Sequence, residues 1–144
     1  MQNLVIHFLL FGCLGITTEI FFTAFSDVFK QIKAGKPINW SLTGTSYVWM
    51  FLIYGLAAPA FYLLHGYIAD WPFWVRGFTY VLGIYVIEYL TGWFLEVTTG
   101  RCPWQYDSRW AVHGYIRLDY APFWLIFGFI IETVYLWLVG ILPV

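Results

Sequence analysis

The chain has 144 residues, 61% of them hydrophobic and 24% aromatic, with 10% charged and a formal net charge of −1. An average soluble domain carries roughly 25% charged residues, so this composition excludes a water-soluble globular protein, and the absence of a basic patch excludes nucleic acid as a partner. Spans of ~20 residues joined by short connections leave room for four membrane helices in a single domain over 1–144 and for no separate soluble module.

The expected fold is therefore all-α, a polytopic integral membrane protein, with spans at about 4–25, 46–64, 73–95 and 120–142. The run Leu4–Ile16 is not read as a cleaved secretory signal, because no Lys or Arg precedes it and Thr17-Thr18-Glu19 leads into a further apolar turn. Gly12, Gly15, Glu19 and Thr23 form a small and polar stripe along the first span, suited to close helix packing. A polar, turn-rich connection with Lys30, Lys33 and Lys36 follows, with Lys30 and Lys33 continuing the first helix briefly beyond the bilayer. Pro59 should kink the second span or free a backbone carbonyl, because it lacks a helix donor. The tight connection His65–Pro72, which contains Trp71, leads into the third span, and a longer polar loop, 96–119, leads into the fourth. Cys13 lies in an apolar run and Cys102 in the loop, so both read as free thiols.

Six of the seven basic residues (Lys30, Lys33, Lys36, Arg101, Arg109 and Arg117) fall in the first and third connections, with Arg76 alone on the other side. The positive-inside rule then puts loops 26–45 and 96–119 in the cytoplasm and both termini outside, in a cell membrane, or the inner membrane of a bacterium. An internal repeat is also legible. Aligning Glu19 with Glu88 brings Trp40 and Gly44 onto Trp110 and Gly114, and Trp49 and Gly55 onto Trp124 and Gly128, at offsets of 69 to 75 residues. Two parallel halves would give a pseudo-symmetric 2+2 bundle.

Carboxylates inside apolar spans are the strongest functional signal, because each costs roughly 2.5–3.5 kcal/mol at mid-bilayer on insertion scales. Glu19, Glu88 and Glu132 are expected to face one interior in the cytoplasmic half, and at least one should be neutral at pH 7, since three anions sharing a low-dielectric space repel. Glu88, Gly92 and Glu96 share a helical face. The loop adds Tyr106, Asp107, Arg109, His113 and Arg117 to the candidate ligand-binding set; its arginines would be a lid over the bundle or a phosphate-headgroup contact. Catalytic residues are not identifiable from the sequence. Histidine spacing gives no metal site, and the chain has no H-E-x-x-H, P-loop, G-x-S-x-G or dinucleotide fingerprint, so neither metal nor cofactor is expected.

Six motifs occur in order: Gly15-x-x-x-Glu19 with Phe22-Thr23-Ala24; Trp49 before Ile53-Tyr54-Gly55; Glu88-Tyr-Leu-Thr-Gly92; Cys102-Pro103-Trp104-x-Tyr106; the run from Gly114 through Arg117, Asp119 and Pro122 to Trp124; and Gly128-x-x-x-Glu132. With these the chain resembles the transmembrane protein 229 family and, more loosely, the wider type IV ABC-transporter (CmpB-like) membrane family, from Gly15 to about Glu132. One departure is Gln105 where the family's loop has Asp, with Asp107 where it has Ser. The resemblance implies a polytopic fold and supports the three glutamates, without supplying a substrate. The function expected is a membrane binding or translocation component. An intramembrane lipid-modifying enzyme using Glu88 or Glu132 as acid/base, and a structural subunit of a larger complex, are the alternatives. Membrane lipids are the expected contacts, and a narrow four-helix pathway calls for a homo-oligomer or partner membrane subunits.

Overall fold

The structure, a computed structural model, describes residues 2–143. Among them, four helical segments are long and apolar enough to cross a membrane: Asn3–Lys33, Val48–Ile68, Phe73–Thr99 and Leu118–Ile141. They comprise α1 (Gln2–Lys33), α2 (Val48–Gly55), α3 (Ala57–Ile68), α4 (Phe73–Thr99) and α5 (Ala121–Ile141), the last preceded by a 3-10 turn at Leu118–Tyr120. The loop before that turn carries a two-stranded hairpin, β1 (Ala111–Val112) and β2 (Ile116–Arg117), so the fold is all-α apart from this small ribbon. The protein is an integral membrane protein of four spans. In each span only 11–22% of the most apolar window is buried, which leaves most of the helix surface to lipid or to further protein.

The helix ends follow local chemistry. After α1, Gly35 takes φ 63°, while Gly35 N–H and Lys36 N–H donate to Ile32 O and Gln31 O, the Schellman closure that a glycine at this position permits. Gly100 ends α4 by the simpler left-handed cap, at φ 84°, with one bond from its N–H to Glu96 O at 2.9 Å. The second span is interrupted at Leu56, as Pro59 predicts: it removes the donor that would reach the Gly55 carbonyl, and it sits in the first turn of α3, where that loss is tolerated. The span is longer than expected, because His65 lies within α3 and the helix runs on to Ile68.

The chain divides into two compact units, one ending at Pro59 and the other beginning at Ala60. In the first, α1 packs on α2 through glycines. A Cβ on Gly12 would come within 2.8 Å of Phe51, one on Gly55 within 2.7 Å of Phe8, and one on Gly15 would run into the Tyr54 ring. Farther along α1, Thr23 Oγ1 donates to Thr45 O at 3.0 Å and accepts from Thr45 N–H at 2.9 Å. The polar stripe of α1 thus faces the following segment of its own unit.

In the second unit, α4 and α5 run antiparallel. Phe73 stacks on Phe129 with ring centroids 4.2 Å apart, and a Cβ on Gly128 would meet Tyr80 at 2.5 Å. At the other end Tyr85 Oη donates to the carbonyls of Arg117 and Leu118, both at 3.0 Å. The start of α5 is therefore level with Tyr85, while α4 continues a further 14 residues, about 21 Å, to Thr99. The loop 100–117, and not α5, accompanies this last part of α4.

Candidate functional site

The loop is folded, not solvated. Tyr106 N–H donates to Gly114 O at 2.8 Å, Leu118 N–H to Trp110 O at 3.0 Å and Trp104 Nε1–H to Tyr115 O at 3.2 Å. At the hairpin tip His113 and Gly114 both adopt positive φ, 52° and 80°, as tight hairpin turns require. Such a backbone is strained for a histidine, and His113 is tied down: its Nδ1 lies 2.6 Å from Tyr89 Oη on α4. A Cβ on Gly92 would meet Tyr115 at 3.2 Å, so that glycine lets the hairpin lie close against α4. The Glu96 carboxylate beside the Tyr115 hydroxyl, together with burial, pushes the phenol up to about 12.

Under this loop sits Glu88. Its Oε1 accepts from Tyr106 Oη at 2.8 Å, whereas Oε2 is buried and has no hydrogen-bond partner among the described residues. A buried carboxylate oxygen left in this way is costly unless the group carries a proton or receives a donor from a ligand. Tyr106 is itself positioned by Arg117, whose guanidinium lies 6.0 Å from its ring centroid and 4.3 Å from that of Tyr120. Arg117 also donates to the Asp119 carboxylate through Nε at 3.1 Å and to Tyr120 Oη through Nη1 at 3.1 Å. The Asp119 carboxylate holds Arg117 above the ordinary guanidinium range. Arg117 is thus committed to bracing the loop, while Arg109 is exposed over the Trp110 ring at 5.4 Å and Arg101 is exposed beside the start of the loop. Asp107 is exposed, and Gln105 packs where a Gly114 Cβ would lie.

Glu132 belongs elsewhere. On α5 it is 6% exposed, and its Oε1 lies 3.0 Å from His65 Nε2 and 3.2 Å from Arg76 Nε. The Arg76 Nε–H does not align well enough to make a hydrogen bond, but Nη1 donates to Ala69 O at 2.9 Å. Phe61 and Tyr135 flank the His65 ring. Since Arg76 is in the first turn of α4, twelve residues before Glu88, the two carboxylates are separated by about 18 Å along α4. Glu88 and Glu132 therefore do not share an interior, contrary to the sequence expectation. The cause is the offset between helices: depth counted from the ends of the spans places them together only if α5 begins where α4 ends.

Glu19, in the first unit, accepts from Ser46 Oγ at 2.9 Å and Tyr54 Oη at 3.2 Å, both on Oε2. Its surroundings resemble those of Glu132. In each case a glycine four residues earlier, Gly15 or Gly128, admits the ring of a tyrosine from the packed helix, Tyr54 or Tyr80, and places that tyrosine beside the carboxylate. The local likeness thus pairs Glu19 with Glu132, whereas the repeat read from the sequence pairs it with Glu88.

The sequence matches the family described as "Putative ABC-transporter type IV" over residues 6–142. The chain belongs to this family. The matched region includes all three membrane glutamates, the loop and Arg76, so the type IV family assignment covers the whole candidate site. No solved structure matches the chain. The partners of Glu132 were the main feature missed by sequence reasoning. Arg76 was counted only as an orientation charge, although an arginine four residues into a span calls for a buried acid. His7, fully buried in α1 with both ring nitrogens unpartnered among the described residues, carried no sequence signal beyond its place in an apolar run.

Cys102 gives a simple check on the loop. It is 4% exposed, and burial pushes its thiol up from the ordinary range, so in the folded protein an impermeant maleimide at neutral pH should modify it more than about tenfold more slowly than after denaturation. Mass spectrometry of the Cys102 peptide reads this directly; equal rates would mean the loop is not folded onto α4.

Proposed function

We propose that this type IV family protein is a membrane binding or translocation component, with Glu88 beneath the Tyr106 loop as its ligand group. The observation carrying this reading is the buried, unpartnered Oε2 of Glu88 beside an Oε1 held by Tyr106. A site built in this way takes a proton or a hydrogen-bond-donating, cationic group. The exposed Arg101 and Arg109 lie on the same loop, where they can hold an anionic headgroup while Glu88 receives its positive or hydroxyl end. Within the family we place the chain with the transmembrane protein 229 proteins, on its Cys102-Pro103-Trp104-x-Tyr106 motif. The loop side is assigned to the cytoplasm and both termini to the outside, from the basic residues in loops 26–45 and 96–119. These 144 residues carry no P-loop. The largely unburied spans fit a second copy or a partner completing the pathway.

Native mass spectrometry of the full chain with co-purified lipid tests the proposal. Arg109→Ala should lower lipid retention through loss of a salt-sensitive contact, and Glu88→Gln should change which lipids are retained. Chemically altered lipid appearing with wild type and not with Glu88→Gln would replace binding by catalysis. Retention indifferent to both substitutions would leave a structural subunit.

A further inference from the structure

The end of the first helix lies in the first unit, remote in sequence from the Glu88 loop and independent of what Glu88 binds. Helix α1 is 32 residues long, about 48 Å at 1.5 Å per residue, against a hydrocarbon core of about 30 Å. Its last turns must leave the bilayer core or tilt into the interface, and they are chemically suited to the second. Phe29 is 71% and Ile32 56% exposed, on one helical face that the other described residues of its own unit leave uncovered. Lys33 borders that face and Lys30 lies beyond it. The chain then folds back instead of trailing into water. The Gly35 closure returns Lys36 to the helix end, and Gln31 Oε1 accepts from Asn39 N–H at 2.6 Å while Asn39 Oδ1 accepts from Ser41 N–H at 3.0 Å. Those bonds hold Trp40, 74% exposed, beside the end of α1. The stretch 26–45 contains three lysines and a single carboxylate, Asp27, which pairs with Lys30 at 2.8 Å.

We infer that the end of α1 and its return segment form a binding surface for anionic phospholipid headgroups, with Lys33 and Lys36 contacting phosphate and Phe29, Ile32 and Trp40 entering the acyl boundary. Charge complementarity selects this occupant. An uncovered apolar face bordered by lysines with alkyl stems long enough to reach the headgroups, and an indole held at its edge, is the pattern of an interfacial helix on an acidic leaflet. Lys30 is paired with Asp27 and contributes less.

The test is lipid exchange on the full chain in detergent, with an equimolar mixture of phosphatidylglycerol and phosphatidylcholine, read by native mass spectrometry. Wild type should retain phosphatidylglycerol preferentially, and less of it at raised ionic strength. Lys33→Gln/Lys36→Gln should lower phosphatidylglycerol affinity by about fivefold for each lysine removed and leave phosphatidylcholine unchanged. Asp27→Asn should act in the opposite sense, because it frees Lys30. Both sets lie on an exposed surface and leave the helical circular dichroism signal intact. Arg101→Gln/Arg109→Gln separates this element from the loop. Unchanged phosphatidylglycerol retention in the lysine variant would overturn the inference. So would a preference that vanishes wholly in the arginine variant, or a protein partner that binds the lysine face in place of lipid.

Discussion

Glu132→Gln should destabilise the protein more than Arg76→Gln, although the two side chains form one pair. Removing the carboxylate leaves a guanidinium that is only 22% exposed and that cannot shed its proton. Breaking one side of a buried ion pair costs about 3–5 kcal/mol, and the partial exposure of Arg76 puts this case toward the lower figure. Removing the arginine leaves a carboxylate that still has His65 Nε2 at 3.0 Å, so the loss is smaller. The double variant should be more stable than the sum of the single losses predicts, because neither charge is then left alone. Thermal unfolding of the detergent-solubilised chain measures all three. An Arg76→Gln loss equal to or greater than that of Glu132→Gln would mean that the pair is solvated and the triad does not hold α3, α4 and α5 together.

The second large effect concerns Gly15. A side chain there strikes the root of the Tyr54 ring, at Cβ and Cγ, which no rotation of the ring can move aside. Gly15→Val must therefore push α1 from α2, an overpacking cost of about 1–3 kcal/mol, and it also disturbs the Tyr54–Glu19 hydrogen bond at 3.2 Å. Tyr54→Gly in the same chain removes both atoms, so Gly15→Val/Tyr54→Gly should lose less than the two single effects added. Gly83→Ala provides the contrast: a Cβ at that position meets nothing within 4 Å, and the substitution should be neutral or slightly stabilising through helix propensity. Equal losses at Gly15 and Gly83 would show that glycine serves helix flexibility here and not close approach.

Much of the fold was legible because its determinants are local or compositional. Four apolar runs, the glycine closures at Gly35 and Gly100 and the interruption before Pro59 follow from hydropathy and backbone chemistry over a few residues. The compact loop could also be anticipated from its aromatic and charged content, and Tyr106 and Glu88, both chosen from sequence, do meet. What sequence reasoning missed depends on the offset between helices. Nothing local signals that α5 starts level with Tyr85, so Glu132 was grouped with Glu88 when its partners are Arg76 and His65 at the other end of α4. The same offset separates the two carboxylates chemically: one has a tyrosine hydroxyl as donor, the other a guanidinium. Arg117 was likewise expected to face a ligand, whereas the short reach to Asp119, two residues away, and to the Tyr120 ring commits it to the loop.

Dicyclohexylcarbodiimide labelling, mapped by peptide mass spectrometry on the protein in lipid, tests the central assignment most directly. The reagent partitions into membranes and attacks protonated carboxyl groups in apolar surroundings. Glu88, held by a neutral phenol with Oε2 buried and unpartnered, should be the labelled residue, and Tyr106→Phe should keep or increase the labelling by removing its cover. Glu132, facing Arg76 at 3.2 Å, should remain unlabelled in wild type and become reactive in Arg76→Gln. Labelling of Glu132 in wild type with Glu88 untouched would contradict the account, because it would make Glu132 the protonated carboxyl group and leave Glu88 without the property on which its role as ligand group rests.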